Sequence, residues 1–185
     1  MTLTPRPITS VLFASAFALG LALGFAGQAQ AAAAHVHGQI RLDIAIEGPT
    51  VVITMETPLD SLIGFERAPR TDAEKQTVDQ AVARLRNAGE LFRIDPAANC
   101  KLGPVTLHSA ALGLGKGEEG AAEGHADLDA SFAFNCTNTV AAKFIDVDLF
   151  DAFKGARQIE AQIAAPQGQF KRTLRRPATR LAWSK

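Results

Sequence analysis

Apolar and polar residues alternate along three separate stretches of the chain, and this pattern limits the fold more than any other feature. From Gln39 to Glu47, Ile40, Leu42, Ile44 and Ile46 are apolar while most positions between them are polar. The same period of two runs from His125 to Asn135 and from Gln158 to Ala165. Successive side chains of a β-strand point to opposite faces, so each stretch predicts a strand with one buried face.

Shorter stretches add to this β-rich pattern. The run from Thr50 to Thr57 follows Gly48-Pro49 and predicts a hairpin with the first strand. Three more runs predict strands of their own: Leu102–Ser109, Phe170–Leu174 and Arg180–Trp183.

Two segments predict helices. Thr71 and Glu74 have the spacing of a capping box, and an apolar stripe follows before Gly89, where we expect this longer helix to end. Asp146 to Phe153 predicts a short helix. The predicted fold class is therefore α+β, a mostly antiparallel β-sheet or sandwich of six to seven strands with one longer and one short helix.

The first 31 residues have the features of a secretory leader. An apolar stretch from Val11 to Leu23 follows the basic Arg6, and Ala29-Gln30-Ala31 offers a cleavage site. The stretch is short for a membrane-spanning helix. We predict a signal peptide over residues 1–31, general export to the periplasm, and a single domain over residues 32–185.

Two cysteines, Cys100 and Cys136, are present. In an exported protein an even number of cysteines is typical of disulfide bonding, so we expect these two to be joined. Use of both thiolates as metal ligands is the less favoured alternative in an oxidising compartment.

The formal net charge is +0, with 19 basic and 19 acidic residues. This balance gives no reason to propose nucleic acid or an anionic membrane as a partner. No nucleophile elbow, phosphate-binding glycine loop or HExxH motif occurs, so an enzymatic function is not predicted. Glu66 and Arg67 are adjacent and could form an exposed ion pair, which would contribute little to stability.

Histidines cluster at the start of the predicted mature chain. His35 and His37 directly precede the first alternating strand, and if the strand includes them they lie on its outer face, roughly 6.5–7 Å apart. His125 and Asp127 repeat this spacing at the start of another strand. If the two strands are neighbours, the four side chains form a site suited to Zn²⁺. The alternative is that these histidines are merely solvated.

The position of leader cleavage opens a further alternative. Cleavage after Ala32 would make His35 the third residue of the mature chain, an arrangement suited to square-planar copper or nickel. A third hypothesis needs no metal: the sheet and its edge strand would bind another periplasmic protein.

The order of several motifs resembles that of a known family. These motifs are His-x-His-Gly before a strand, Gly64-Phe65-Glu66-x-Ala68-Pro69, the helix opened by Thr71 to Glu74, His125-x-Asp127 between the two cysteines, and the closing segment Gly155 to Trp183. Together they resemble the ZrgA-like family, bacterial periplasmic zinc-binding proteins that assist a zinc ABC importer.

The resemblance implies Zn²⁺ as the bound ion and His35, His37, His125 and Asp127 as its ligands. It also implies the periplasmic binding protein of a zinc ABC importer as a partner. The chain departs from the family at two places: the segment Gly113 to Gly124 contains no histidine, and Arg67 stands where many members have His.

Overall fold

A six-stranded sheet and a three-stranded sheet dominate the structure, a computed structural model that describes residues 36–115 and 126–183. The strands are β1 (Gln39–Glu47), β2 (Thr50–Pro58), β3 (Phe92–Ile94), β4 (Cys100–His108), β5 (Asp127–Cys136), β6 (Phe144–Val147), β7 (Gln158–Ala165), β8 (Gly168–Arg175) and β9 (Arg180–Ala182). The α-helices are α1 (Leu59–Ile63), α2 (Asp72–Arg86), α3 (Ala88–Leu91) and α4 (Leu149–Ala152). The predicted α+β class is confirmed, although the described residues contain nine strands rather than six to seven.

The first strand is central in the large sheet, whose order is β4-β5-β2-β1-β7-β8. β1 and β2 form the predicted antiparallel hairpin, and β1 pairs in parallel with β7. Gln39 lies opposite Gln158, and Pro58 lies opposite Asp127. One end of the sheet therefore gathers the starts of β1, β5 and β7 and the end of β2.

The alternation predicted from the sequence is present in the burial of the strands. Ile40, Leu42 and Ile44 of β1 are at most 2% exposed, and the even-numbered apolar residues of β5 are buried as well. Phe132 of β5 meets Phe92 of β3 with 5.0 Å between ring centroids. The two sheets and the buried side of α2 thus enclose one continuous hydrophobic core.

Helix α2 begins as predicted but ends earlier than expected. The Thr71 side chain accepts from the Glu74 amide, and the Glu74 carboxylate accepts from the Thr71 amide. Gly89 does not end this helix: Asn87 is its C-cap and Gly89 lies within α3. α3 begins a new helical turn, in which Ala88 and Leu91 are buried.

The predicted helix from Asp146 to Phe153 is only partly correct. Its first residues belong to β6, the middle strand of the small sheet, and α4 begins at Leu149. Ile145 and Val147 are both fully buried, which fits a strand with a period of two. Pairing with β3 and β9, which lie far away in sequence, overrides the local helical pattern.

Cys100 and Cys136 form a disulfide and lie directly opposite each other in the β4–β5 ladder. The bond fastens the start of the edge strand β4 to its neighbour. The predicted leader, His35, His125 and residues 116–124 of the glycine-rich segment lie outside the described residues. In the part of the chain that is described, no helix has the length and apolar character needed to cross a membrane.

Replacing both Cys100 and Cys136 with Ala should lower the free energy of unfolding by about 3.5–4 kcal/mol, because the bond closes a loop with a sequence separation of 36. Denaturant unfolding followed through the single Trp, the buried Trp183, measures the change. The oxidised wild-type protein is the reference, and an unchanged unfolding free energy would contradict the prediction.

Candidate metal site

One imidazole and two carboxylates meet at the end of the large sheet where β1 begins. His37 Nδ1 lies 2.5 Å from Asp60 Oδ2 and 3.3 Å from Glu66 Oε1. One ligand atom from each of the three residues lies within 4.8 Å of the others. The side chains are 69%, 26% and 37% exposed for His37, Asp60 and Glu66, so the cluster opens to solvent.

A glycine turn brings His37 into this cluster. β1 begins at Gln39, and Gly38 adopts a φ of 79°, which side chains with a Cβ rarely adopt. His37 is therefore part of a turn and does not follow the alternation of the strand. The outward placement of His37 was predicted only if the strand included it; β1 does not include His37, and the turn directs this residue toward α1.

Short polar contacts fix Asp60 opposite His37. The Gly38 amide donates to Ser61 Oγ at 3.0 Å, and Ser61 Oγ donates to Asp60 Oδ1 at 3.3 Å. Ser61 is fully buried, while its neighbour Asp60 faces the open side of α1. The other oxygen of Asp60 is left to contact His37.

The loop before β7 packs closely against the backbone of α1. A Cβ added to Gly155 would lie 2.7 Å from the carbonyl oxygens of both Asp60 and Ser61. Only glycine permits this approach without displacing the helix backbone. The close packing against α1 therefore requires glycine at position 155, the first residue of the closing segment.

The segment after α1 returns Glu66 to His37. Gly64 ends the helix with a φ of 84°, which reverses the chain direction. Glu66 does not pair with Arg67 as the sequence suggested. Arg67 instead donates to both carboxylate oxygens of Glu74, at 2.9 and 2.7 Å, and this leaves Glu66 directed toward His37.

Glu74 anchors this segment to the start of α2. Its carboxylate also accepts from the amides of Arg70 and Thr71. The Arg67 hydrogen bond, followed by these amide bonds, lowers the pKa of Glu74 to about 2. Glu74 therefore remains charged over the range in which most proteins are folded, and the segment carrying Glu66 is held throughout.

The two carboxylates also act on the charge of His37. The hydrogen bond that the His37 ring donates to Asp60, then the negative charges of Asp60 and Glu66, raise the pKa of His37 above its ordinary value of 6.5. The nearby charge of Arg157 opposes them. Apart from any metal, the carboxylates thus favour a proton on the imidazole, and a divalent cation would compete with that proton.

The ligand set suits a divalent metal with one position left open. Zn²⁺ binds imidazole nitrogen and carboxylate oxygen at about 2.0–2.2 Å in tetrahedral sites, where neighbouring ligand atoms lie about 3.3–3.5 Å apart. The His37–Glu66 distance of 3.3 Å already meets this spacing. The His37–Asp60 distance of 2.5 Å is that of a hydrogen bond, and it would widen when an ion replaces the proton.

Two of the four ligands predicted from the sequence, His37 and Asp127, are among the described residues, and of these two His37 lies in the cluster. Asp127 lies at the same end of the sheet, opposite Pro58 and therefore two strands from β1, roughly 10 Å across the sheet. His35 and His125 lie outside the described residues, so their part in metal binding stays a prediction, as does that of Asp127.

Sequence reasoning missed Asp60 and proposed another partner for Glu66. Asp60 lies in a one-turn helix with no motif of its own, and its place beside His37 depends on a contact 23 residues apart in sequence. The Gly-Phe-Glu-x-Ala-Pro motif was a usable signal for Glu66, because its glycine ends α1 two residues before Glu66.

His108 is half-buried and does not join the cluster. Its Nε2 is buried and has no hydrogen-bond partner among the described residues. The ring packs beneath Gly115, where an added Cβ would lie 2.9 Å from its Cδ2.

Comparison with known families now adds to this geometry. Residues 34–183 match the family described as "ZrgA family zinc uptake protein". The chain belongs to the ZrgA family. The resemblance seen in the sequence is thus confirmed, and the match includes every residue of the cluster and of the strands described above. Comparison with curated proteins gives no match.

In metal-free protein, the pKa of His37 should lie above 6.5, and replacing Asp60 with Asn should lower it because the main hydrogen bond and charge are lost. Titration of the His37 ring resonances by NMR measures both values. Asp43→Asn, which changes an exposed carboxylate on β1, is the matched control and should leave the His37 value unchanged. A wild-type value at or below 6.5 would contradict the electrostatics described here.

Proposed function

We propose that this protein is a periplasmic zinc-binding accessory that captures Zn²⁺ and supports its uptake by an ABC importer. Membership of a zinc uptake family supports the general role. The meeting of His37 with Asp60 and Glu66 is the observation that carries the proposal, because it provides a site for the ion. In this proposal the protein is not an enzyme: Zn²⁺ is cargo that is bound and released.

The chemistry of the ligands supports zinc as that cargo. Two carboxylates neutralise a divalent charge, and an imidazole favours Zn²⁺ over the harder Mg²⁺ and Ca²⁺. The site contains no thiolate, since both cysteines are joined in the disulfide. A site with two exposed ligands, one partly buried ligand and an open position is suited to exchange, whereas a closed site with four thiolates would hold its ion more permanently.

The cellular setting is inferred from the sequence together with the disulfide. We propose that residues 1–31 form a signal peptide, that residues 32–185 form the mature domain, and that the protein functions in the periplasm. The Cys100–Cys136 disulfide is compatible with an oxidising compartment. The proposed recipient of the ion is the periplasmic binding protein of a zinc ABC importer.

Calorimetric titration with Zn²⁺ tests the site directly. The mature protein should bind Zn²⁺. Either His37→Ala or the double change Asp60→Asn and Glu66→Gln should weaken binding at least tenfold, because each variant lacks side chains that contact the ion directly. Glu47→Gln, at the opposite end of β1, is the matched control and should bind like the wild type.

The same titration distinguishes the alternative ligand set. If His125→Ala and Asp127→Asn weaken binding while Asp60→Asn and Glu66→Gln do not, the site is the one predicted from sequence spacing, and the cluster described here is wrong.

Binding to a partner protein tests the metal-independent alternative. If no variant changes that binding and removal of metal by a chelator leaves it intact, a metal-independent interaction module is favoured. Mass spectrometry of the exported protein locates the cleavage site, on which a copper or nickel site at His35 depends.

Zinc affinity should also depend on pH. The ion displaces a proton from His37, whose pKa is raised above 6.5, so affinity should fall as the pH drops through that raised value. In the metal-free protein, stability depends on pH in the opposite direction. The contribution of protonated His37 to the free energy of unfolding is present below pH 6.5 and is lost as the pH rises through the raised pKa. Titrations with Zn²⁺ at a series of pH values, compared with metal-free unfolding, check both signs. An affinity that is constant between pH 5.5 and 8 would contradict the role of His37.

A further inference from the structure

A cationic side chain lies directly beside the metal cluster. The Arg157 amide donates to the Gly38 carbonyl at 2.7 Å, which places this residue next to the turn that carries His37. Its side chain then folds over Gly38: a Cβ at Gly38 would lie 3.0 Å from both Cγ and Cδ of Arg157. The aliphatic part of the Arg157 side chain therefore packs against the same turn that positions the imidazole.

In the part of the chain that the structure describes, no carboxylate pairs with Arg157. Among residues 36–115 and 126–183, no acidic group lies within ion-pair distance of its guanidinium, although Asp60 and Glu66 are close to the same turn. Both carboxylates instead contact His37.

We propose that Arg157 sets the affinity and release rate of the zinc site by electrostatic repulsion of the bound ion. This inference rests on the proposed function and adds a residue that tunes the site without being a ligand. A single positive charge on the order of 8 Å from a divalent ion in a solvent-exposed setting weakens binding about fivefold by Coulomb's law. Such a charge also speeds release, which a protein that passes its ion to another protein requires.

The side chain of Arg157 has no hydrogen bond or ion pair among the described residues that would require it for folding. Its backbone contacts with Gly38 are retained whatever the side chain is. The position can therefore be substituted to test electrostatics with little effect on the fold. This separates it from Gly155, whose replacement would displace α1.

The experiment compares wild-type protein with Arg157→Gln, Arg157→Lys and Lys101→Gln. Lys101 is exposed on β4 at the end of the sheet opposite the cluster, as its pairing with Asn135 and hence Thr50 shows, so Lys101→Gln removes the same charge remotely. Zn²⁺ affinity is measured by competition with a chromogenic chelator, and release by transfer of Zn²⁺ to excess chelator. Unfolding followed through Trp183 confirms that each variant is folded.

Arg157→Gln should bind Zn²⁺ about three- to tenfold more tightly and release it correspondingly more slowly, while Arg157→Lys and Lys101→Gln should resemble the wild type. The difference should shrink in 0.5 M salt, because exposed charges are then screened. Unchanged or weaker binding by Arg157→Gln, or equally tight binding by Arg157→Lys, would overturn this inference alone. Absence of His37-dependent Zn²⁺ binding in the wild type would overturn the proposed function and this inference with it.

Discussion

The hydrogen bonds of Gly38 are the interaction on which the site depends. Its amide donates to Ser61 on α1, and its carbonyl accepts from the amides of Arg157 and Gln158 at the start of β7. One residue thereby joins the first strand, the first helix and the parallel neighbour strand. Because Gly38 adopts a positive φ, the chain turns before β1 and presents His37 to Asp60 rather than to the outer face of the sheet.

In the proposed function, the charges around this turn would make the binding of a cation reversible. Asp60 and Glu66 attract a cation, and their preference for a protonated His37 makes the proton a competitor of the metal. Arg67, the cation adjacent to Glu66 in the sequence, forms an ion pair with Glu74 and stacks on the Phe65 ring. Arg157 remains as an opposing charge. A site built in this way gives up its ion more readily than one buried in the core would.

The sheet was predictable because its signal is local. The alternation of β1 and β5 appears directly in the sequence, and the capping box of α2 needs only residues 71 and 74. The part of β6 from Asp146 was predicted as helix because its strand pairing comes from residues far away in sequence. The predicted end of α2 at Gly89 was wrong because the burial of Ala88 and Leu91 in α3 is a tertiary effect.

The site was predictable only in part for the same physical reason. His37 stood out as part of a His-x-His motif, whereas Asp60 and Glu66 come to it through a glycine turn, a one-turn helix and an ion pair between Arg67 and Glu74. Parity along a strand cannot describe a residue that precedes the strand. Asp127 lies two strands away from β1 at the same end of the sheet, and its role as a ligand stays a prediction.

Anomalous diffraction at the zinc absorption edge, from crystals of the Zn²⁺-loaded mature protein, tests the central claim most directly. The account predicts an anomalous peak within about 2.0–2.2 Å of a His37 ring nitrogen and of one carboxylate oxygen each from Asp60 and Glu66. A peak bound by other residues, with Asp60 and Glu66 both outside its coordination sphere, would contradict it.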